Sequence, residues 1–190
     1  MRLFLAINLS PGIRDAIAAA TASLREAAPD FRWTDASRFH LTLKFLDEQP
    51  EAAVKSVTDA MDAVVGQHFA FDMRVGGSDH VVGAFPNFRR PRVVWMGVSN
   101  DPKLELLHHD VEVACKALGF ELEGRPFRPH LTLARVKDRV DATVLRRLER
   151  AAKAIRFDAE SRVASVDLMR SVTGAEARHE RLHTSPLKAR

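Results

Sequence analysis

The tetrapeptide HLTL occurs twice in this chain, at residues 40–43 and again at residues 130–133. Histidine has an unperturbed pKa of about 6.5, so its imidazole can accept or donate a proton near neutral pH. A threonine hydroxyl can donate a hydrogen bond to an anionic oxygen. Two copies of this pair could place a proton acceptor and a proton donor on opposite sides of one reacting atom. The repeat therefore indicates acid–base chemistry on a group of about the size of a phosphate.

Each HLTL segment predicts a strand with one polar and one apolar face. Alternate side chains of an extended strand point to opposite sides, so His40 and Thr42 share one face while the two leucines anchor the other. The same holds for His130 and Thr132. The two polar residues of one strand lie about 6.5 to 7 Å apart at their backbones, close enough for both to contact one phosphate. Ordinary core packing would preserve the leucines without requiring His and Thr at matching positions, which disfavours a purely structural role.

A metal centre is the competing use of paired histidines. Two imidazoles are too few for a closed zinc site, and no Asp, Glu or Cys occupies the equivalent position in both copies. The single cysteine, Cys115, excludes an internal disulfide framework and a thiolate-rich metal site. We therefore predict no metal ion and no other cofactor. The remaining histidines are interpreted as surface residues: His68, His80, His108, His109, His179 and His183.

The elements that must carry the two motifs follow from the hydrophobic pattern. The chain opens with a strand, RLFLAINL, and continues with a helix, SPGIRDAIAAATASLREAA, that Ser10 caps and Pro11 begins. Further helices are predicted in EAAVKSVTDAMDAVVGQ, DPKLELLHHDVEVACKALG and DATVLRRLERAAKAI. Further strands are predicted in FRWT, RFHLTLKFLDE, FAFDMRVGG, HVVGAF, RVVWMGVS, FELE, RPHLTLARV, RVASVDLMRSV and ARHERLHTS.

The order of these elements predicts an internal duplication. Each half of the chain presents helix, strand, HLTL strand and helix, followed by further strands. No Gly- or Ser-rich linker separates the halves, so we predict a single domain over residues 1–190. Short hairpin-like connections favour mostly antiparallel sheets and hence an α+β fold. We expect a bilobal molecule, with helices packed outside two pseudo-symmetric lobes and an active-site cleft between them.

Composition and charge narrow the class of protein. The chain has 190 residues, is 46% hydrophobic and carries a formal net charge of +4, which suits an anionic partner without demanding one. The apolar stretch at the start is too short for a signal peptide or a membrane span. We therefore expect a cytoplasmic protein with no membrane partner, and we expect it to be a monomer.

The segments around both motifs resemble the two-histidine phosphoesterase superfamily, whose mark is a pair of His-x-Thr-x motifs. Within it, the sequence is similar to the bacterial and archaeal RNA 2′,3′-cyclic phosphodiesterases, historically called 2′-5′ RNA ligases. The resemblance covers nearly the whole chain, in MRLFLAINL, RFHLTLKFLDE, GAFPNFRRPRVVWMGV, RPFRPHLTLARVK and LMRSV. It implies a positively charged cleft and metal-independent hydrolysis of nucleoside or RNA 2′,3′-cyclic phosphate to a 2′-phosphate.

The resemblance also implies roles for the motif residues. His40 and His130 would be catalytic, with His40 as the general acid at O3′ and His130 as the general base for water. The symmetry of the two motifs leaves this order open. Thr42 and Thr132 would bind the phosphate oxygens.

Four residues near the motifs are additional candidates for substrate binding. Arg128 would share the face of the nearby motif histidine if the chain stays extended, and could then pair with the phosphate. Arg135 falls on the leucine face by strict alternation, so substrate contact requires a twist or the strand end. Phe39 and Phe127 flank the motifs and could stack a nucleobase or pack in the core.

Three functions remain open at this point. The leading one is hydrolysis of RNA ends or nucleotides that bear a 2′,3′-cyclic phosphate, with tRNA fragments among the candidate substrates. The second is ligation of tRNA halves through 2′-5′ linkages, in which an RNA hydroxyl takes the place of water. The third is a non-catalytic nucleotide-binding module. The presence of both histidines and both threonines disfavours the third, since a degenerate protein would be free to lose one of them.

Overall fold

The computed structural model of the protein describes residues 1–77, 81–137, 139–172 and 178–189. The strands are β1 (Arg2–Asn8), β2 (Arg32–Trp33), β3 (His40–Glu48), β4 (Phe71–Gly76), β5 (Val82–Phe85), β6 (Val93–Gly97), β7 (His130–Arg135), β8 (Asp158–Val163), β9 (Ser165–Val172) and β10 (Arg178–Pro186). The α-helices are α1 (Pro11–Ala20), α2 (Ala22–Ala27), α3 (Ala53–Val65), α4 (Pro102–Ala117) and α5 (Ala142–Ala154). A short 3₁₀ helix spans Ala36–Arg38.

One eight-stranded sheet carries both HLTL strands. Its order is β10-β9-β1-β3-β7-β6-β5, and β2 also pairs with β7. The strand pairs of this sheet are antiparallel, and β4 and β8 form a separate antiparallel pair. The prediction of an α+β fold with mostly antiparallel sheet is therefore confirmed.

The predicted lobes are two halves of this one sheet. β10, β9, β1 and β3 form one half, and β7, β6 and β5 form the other. The two motif strands are direct neighbours at the junction, where their pairing rests on a single register pair, Leu41 with Leu131. Since both strands are longer than this contact, they diverge beyond it, and the junction lies at the centre of the sheet.

The leucine face of the sheet packs against the helices. Leucines of β1 and of both motif strands share one buried cluster with Ile17 of α1, Met61 of α3, Leu104 of α4 and Leu148 of α5. The opposite face contributes only a small separate cluster of buried residues among those described, formed by Phe4, Ala6 and Met169. Because the helices take one face, the other face stays accessible to a ligand.

No helix within the described ranges combines the length and apolar character that a membrane crossing requires.

Most predicted elements are present, and the exceptions have local causes. The first helix begins as predicted, with Ser10 capping the Ile13 amide, but it is interrupted at Thr21, whose hydroxyl donates to the Ile17 carbonyl at 2.8 Å. The strand predicted in RVASVDLMRSV is instead the end of β8 followed by β9, with a break at Ala164.

The strand predicted in FELE is wrong. Residues 120–123 have no regular secondary structure. The Lys44 ammonium donates to the Glu121 carbonyl at 2.7 Å, and the Glu123 amide donates to the Glu112 carboxylate at 3.0 Å. Buried charged side chains thus satisfy backbone groups that a neighbouring strand would otherwise have to satisfy.

Candidate active site

The register of β3 against β7 arranges the two motifs around an approximate twofold axis. Because Leu41 pairs with Leu131 in an antiparallel ladder, the histidine of each motif lies opposite the threonine of the other. Residues directly opposite one another project from the same face. All four polar side chains of the motifs therefore emerge together on the face that the helices leave uncovered.

The two histidines lie on a diagonal of this four-residue cluster. His40 is opposite Thr132 and Thr42 is opposite His130, as the register requires. Diagonal neighbours on antiparallel strands are separated by about 7 to 8 Å, which leaves room for one tetrahedral phosphate between two imidazoles. The strands bring the predicted catalytic and phosphate-binding residues together, although both belong to one sheet rather than to two facing ones.

Each motif ends in the same β-bulge. The pairing of β7 with β6 skips Leu133, and the pairing of β3 with β1 skips Leu43. A bulge adds one residue and so inverts the alternation beyond it. As a result Ala134 is buried in the core while Arg135 is exposed, and Phe45 is likewise exposed at the equivalent position of the first motif.

Arg135 lies on the histidine face because of this bulge. Its positive charge is one of the causes that lower the pKa of His40, His130 and His179, which places the guanidinium near all three rings. The leucine-face position that strict alternation assigns to Arg135 is therefore wrong, and the predicted contact of Arg135 with the substrate stays a prediction. Strict alternation fails at Leu133, and no feature of the tetrapeptide itself announces a bulge.

A backbone carbonyl orients each catalytic candidate. Nδ1 of His40 lies 2.7 Å from the carbonyl oxygen of Arg38, and Nδ1 of His130 lies 2.7 Å from that of Arg128. A carbonyl oxygen can only accept, so Nδ1 carries the proton and donates in both cases. Nε2 is then the nitrogen that can accept a proton in each neutral ring. This symmetric pair of hydrogen bonds was missed by the sequence analysis.

Burial lowers the pKa of both histidines. It is the largest cause of the shift that brings the pKa of His40 to about 4, and it also lowers the pKa of His130. The carbonyl hydrogen bonds at Nδ1 act in the opposite direction, and the charge of Arg135 lowers both values further. Both rings are therefore mainly neutral at neutral pH without a ligand, and an anion beside them would favour protonation.

Aromatic rings flank the two histidines in a similar way. The ring centroid of Phe4 lies 5.0 Å from that of His40, and the centroid of Phe85 lies 5.1 Å from that of His130. Trp95, opposite Thr132 in the register, has its centroid 6.4 Å from His130. These rings could not be assigned to the site from the sequence, because alternation alone does not tell which face of a neighbouring strand is shared.

His179 is a third histidine in the site. Its ring centroid lies 5.1 Å from that of His40 and 5.0 Å from that of Phe4. Its Nδ1 is buried and has no hydrogen-bond partner among the described residues. The interpretation of His179 as a surface residue is wrong, because the sheet order brings the edge strand β10 to the side of the site that holds His40.

Two other histidine interpretations need correction. The side chain of His68 is only 11% exposed and lies 3.0 Å from the Asp110 carboxylate. His108 is partly buried against Phe127, with the two ring centroids 3.8 Å apart. His80 lies outside the residues that the structure describes, so its interpretation as a surface residue stays a prediction.

The two phenylalanines predicted to stack a nucleobase or to pack in the core are buried to different extents. Phe39 is 1% exposed and belongs to the main core cluster. Phe127 packs against that cluster and stacks on His108. Base stacking is therefore wrong for Phe39, whose ring has no free face, and the core alternative is confirmed. For Phe127, base stacking stays a prediction.

Arg128 contributes to the site by its main chain. Its side chain is exposed, and its described contact with His130 is the carbonyl hydrogen bond to Nδ1. The predicted pairing of the Arg128 side chain with the phosphate stays a prediction.

A cavity of about 740 Å³ opens beside His40. Its wall includes four arginines: Arg14, Arg38, Arg178 and Arg181. A second cavity, of about 620 Å³, lies at the edge strand β5 and is lined by neither motif histidine. Among the described residues, no group of three or more His, Cys, Asp or Glu side chains is arranged to hold a metal ion.

An antiparallel sheet that presents two His-x-Thr pairs from adjacent central strands defines a two-histidine phosphoesterase. The uncovered face and the symmetric orientation of both imidazoles are the features that distinguish it from a sheet with incidental histidines. The chain belongs to the 2′-5′ RNA ligase superfamily, whose family model matches residues 7–175.

Relatives with curated names are similar over most of the chain. It is 31% identical to the RNA 2′,3′-cyclic phosphodiesterase of Methanothermobacter thermautotrophicus over 137 residues, which cover 72% of each protein. It is 33% identical to the RNA 2′,3′-cyclic phosphodiesterase of Geobacillus stearothermophilus over 132 residues, covering 70% of this chain and 41% of that relative.

Solved structures share the fold over the full length. A crystal structure of a Thermus thermophilus protein has a TM-score of 0.80 at 26% identity and covers 100% of this chain and 99% of its own. Escherichia coli LigT complexed with 3′-AMP has a TM-score of 0.75 at 26% identity, covering 98% and 97%.

Proposed function

We propose that this protein is an RNA 2′,3′-cyclic phosphodiesterase that uses His40 and His130 for proton transfer without a metal ion. The observation that carries the proposal is the antiparallel register, which makes His40 and His130 diagonal neighbours on one face of the sheet. Diagonal neighbours lie about 7 to 8 Å apart at their backbones, a spacing that suits one phosphate between the side chains. Membership of the 2′-5′ RNA ligase superfamily and the names of its curated relatives support the same reaction.

The reaction needs a proton acceptor and a proton donor on opposite sides of phosphorus. Water attacks in line with the ribose O3′, one imidazole takes a proton from the water, and the other gives a proton to O3′. The P–O3′ bond breaks, and a 2′-phosphate and a free 3′-hydroxyl result. Each positioned proton transfer contributes about 10²- to 10⁴-fold to the rate. Nε2 is the transferring atom of each ring, because Nδ1 is committed to a carbonyl.

The remaining polar groups stabilise the charge that develops on the phosphate. Thr42 and Thr132 each donate a hydroxyl hydrogen bond to a non-bridging oxygen. Arg135 adds a positive charge on the same face, and its guanidinium can donate in a forked geometry. Together these groups replace the charge neutralisation that a metal ion supplies in other phosphodiesterases.

The order of the two histidines is carried over from the family resemblance, with His40 as the acid and His130 as the base. Burial opposes this order in the ligand-free protein, because a pKa of about 4 leaves His40 unprotonated. His40 acts as the acid once the bound phosphate anion raises its pKa by favouring the imidazolium.

Ligation ranks below hydrolysis as a function of this site. The same geometry would accept an RNA hydroxyl in place of water, but water at its ordinary concentration outcompetes a second RNA end. RNA ends, including tRNA fragments, and nucleotides with a cyclic phosphate are the proposed substrates. A cytoplasmic monomer suits this role, and both attributes stay predictions.

Phosphorus NMR with a purified sample tests the proposal. We expect a nucleoside 2′,3′-cyclic phosphate to be converted to the 2′-phosphate at a rate that EDTA does not change. Absence of turnover would overturn the assignment, as would a loss in EDTA that a divalent ion restores. Efficient joining of tRNA halves with little hydrolysis would reverse the ranking of hydrolysis over ligation.

A further inference from the structure

We infer that the cavity beside His40 binds the phosphodiester on the 5′ side of the cyclic-ended nucleotide, so that the preferred substrate is an RNA end rather than a mononucleotide. We call this the arginine cavity and define it by Arg14, Arg38, Arg178 and Arg181. The inference rests on the proposed function, since it requires the cyclic phosphate to bind between His40 and His130.

Three separate segments of the chain build the arginine cavity. Arg14 comes from the first turns of α1, Arg38 from the 3₁₀ helix before the first motif, and Arg178 and Arg181 from β10. Their convergence at one wall, which His40 itself completes, concentrates cationic donors beside the reacting phosphate. A guanidinium is the side chain best suited to bind a phosphate through several donors.

Carboxylates also lie near these arginines. Asp35 lines the cavity but accepts hydrogen bonds from the Ser37 amide and hydroxyl, which also lower its pKa. Glu180 pairs with Arg178. The buried Asp167 lies 3.8 Å from Arg181, at the outer limit of an ion pair.

Arg14 carries the clearest signal for an anionic ligand. Its described hydrogen bond goes to the Ser37 carbonyl at 2.7 Å, and no carboxylate lies within 4.0 Å of it in the part of the chain that the structure describes. A cation near the start of a helix opposes the helix dipole, so Arg14 does not serve the stability of α1. An anion in the cavity would be favoured by both the guanidinium and the helix start.

The position of the cavity identifies which anion fits. A 2′,3′-cyclic phosphate is the last group of an RNA chain, so the next phosphate can lie only on the 5′ side of the same nucleotide. The other cavity, near β5, offers one arginine and one glutamate, Arg89 and Glu149, and so lacks a comparable positive charge. The RNA chain is therefore expected to leave the active site past His40.

Three substrates and two variants test the inference. The substrates are a nucleoside 2′,3′-cyclic phosphate, the same molecule with a 5′-phosphate, and a dinucleotide ending in the cyclic phosphate. We expect kcat/KM of the wild-type protein to be about tenfold higher for the dinucleotide than for the first substrate, as one charge-assisted contact allows. Arg14→Gln and Arg181→Gln should each lower this ratio toward unity. Arg162→Gln, on the separate β4–β8 pair, is the matched control and should leave the ratio unchanged.

The outcomes separate this inference from the proposed function. Equal kcat/KM for all three substrates, or a ratio that neither cavity variant changes, would overturn the subsite while leaving hydrolysis intact. A gain for the 5′-phosphorylated mononucleotide without a gain for the dinucleotide would overturn the RNA-chain assignment, because the cavity would then select a terminal phosphate. Absence of hydrolysis with every substrate would instead contradict the proposed function.

Discussion

His40 lies diagonally across the β3–β7 pair from His130, and both rings are held in the same way, by a hydrogen bond from Nδ1 to the carbonyl oxygen two residues earlier in the chain. The two motifs therefore share three local features: the strand, the β-bulge within it, and the hydrogen bond that orients the imidazole. Two similarly oriented rings on one face, about 7 to 8 Å apart at their backbones, suit a reaction with one proton acceptor and one proton donor.

The buried His40 makes stability depend on pH. Its pKa is about 4 in the folded protein and about 6.5 when unfolded, so the unfolded chain binds more protons as the pH falls through this window. We expect the His40→Asn variant to lose less stability than the wild-type protein between about pH 6.5 and about pH 4. Thermal unfolding midpoints across this range measure the difference. Parallel curves for the two proteins would show that His40 is not held in its neutral form.

Arg135 and Arg128 form a matched pair of substitutions. Arg135→Gln removes a charge on the histidine face and should lower kcat/KM for a cyclic mononucleotide by about 10- to 100-fold, as the loss of a charge-assisted hydrogen bond predicts. Arg128→Gln retains the carbonyl that orients His130, so we expect a smaller loss than in Arg135→Gln, limited to the predicted contact of the Arg128 side chain with the phosphate. Steady-state kinetics of both variants check this order, which a larger loss in Arg128→Gln would reverse.

A substrate with sulfur in place of the 3′-bridging oxygen identifies the general acid. A thiolate leaves without prior protonation, so a variant that lacks the acid should hydrolyse this substrate at close to the wild-type rate. We expect this rescue in His40→Ala and not in His130→Ala. Rescue of His130→Ala alone would assign the acid to His130, the order that the low pKa of His40 favours in the ligand-free protein.

Phe39 is buried in the core and Phe45 is exposed on the histidine face, so alanine substitutions of the two residues form a matched comparison. Phe39→Ala should reduce the free energy of unfolding by about 3 to 5 kcal/mol, because the ring is 1% exposed. Phe45 is 50% exposed, so Phe45→Ala should change it by no more than about 0.5 kcal/mol. Chemical denaturation curves provide both values, and a stable Phe39→Ala protein would contradict the core placement.

The sequence predicts the catalytic motifs of the site better than it predicts which other residues surround them. Alternation within HLTL correctly predicts that His40 and Thr42 share a face opposite the leucines, because that rule depends only on local strand geometry. The face of Arg135 could not be predicted, since a bulge depends on the partner strand. The place of His179 beside His40 depends on the order of four strands, which is a tertiary property. Phe39 has an extended backbone directly before His40, so the same alternation places its ring on the leucine face, in the core.

The joint action of the two imidazoles is tested most directly by the single and double variants His40→Ala and His130→Ala. Residues that serve one transition state act as a unit, so their losses do not add. Single-turnover rates with a 2′,3′-cyclic nucleotide should fall by about 10²- to 10⁴-fold in each single variant. The double variant should be little slower than the slower single one. A single variant with nearly wild-type activity, or a double variant whose loss is the product of the two, would contradict two histidines acting on one phosphate.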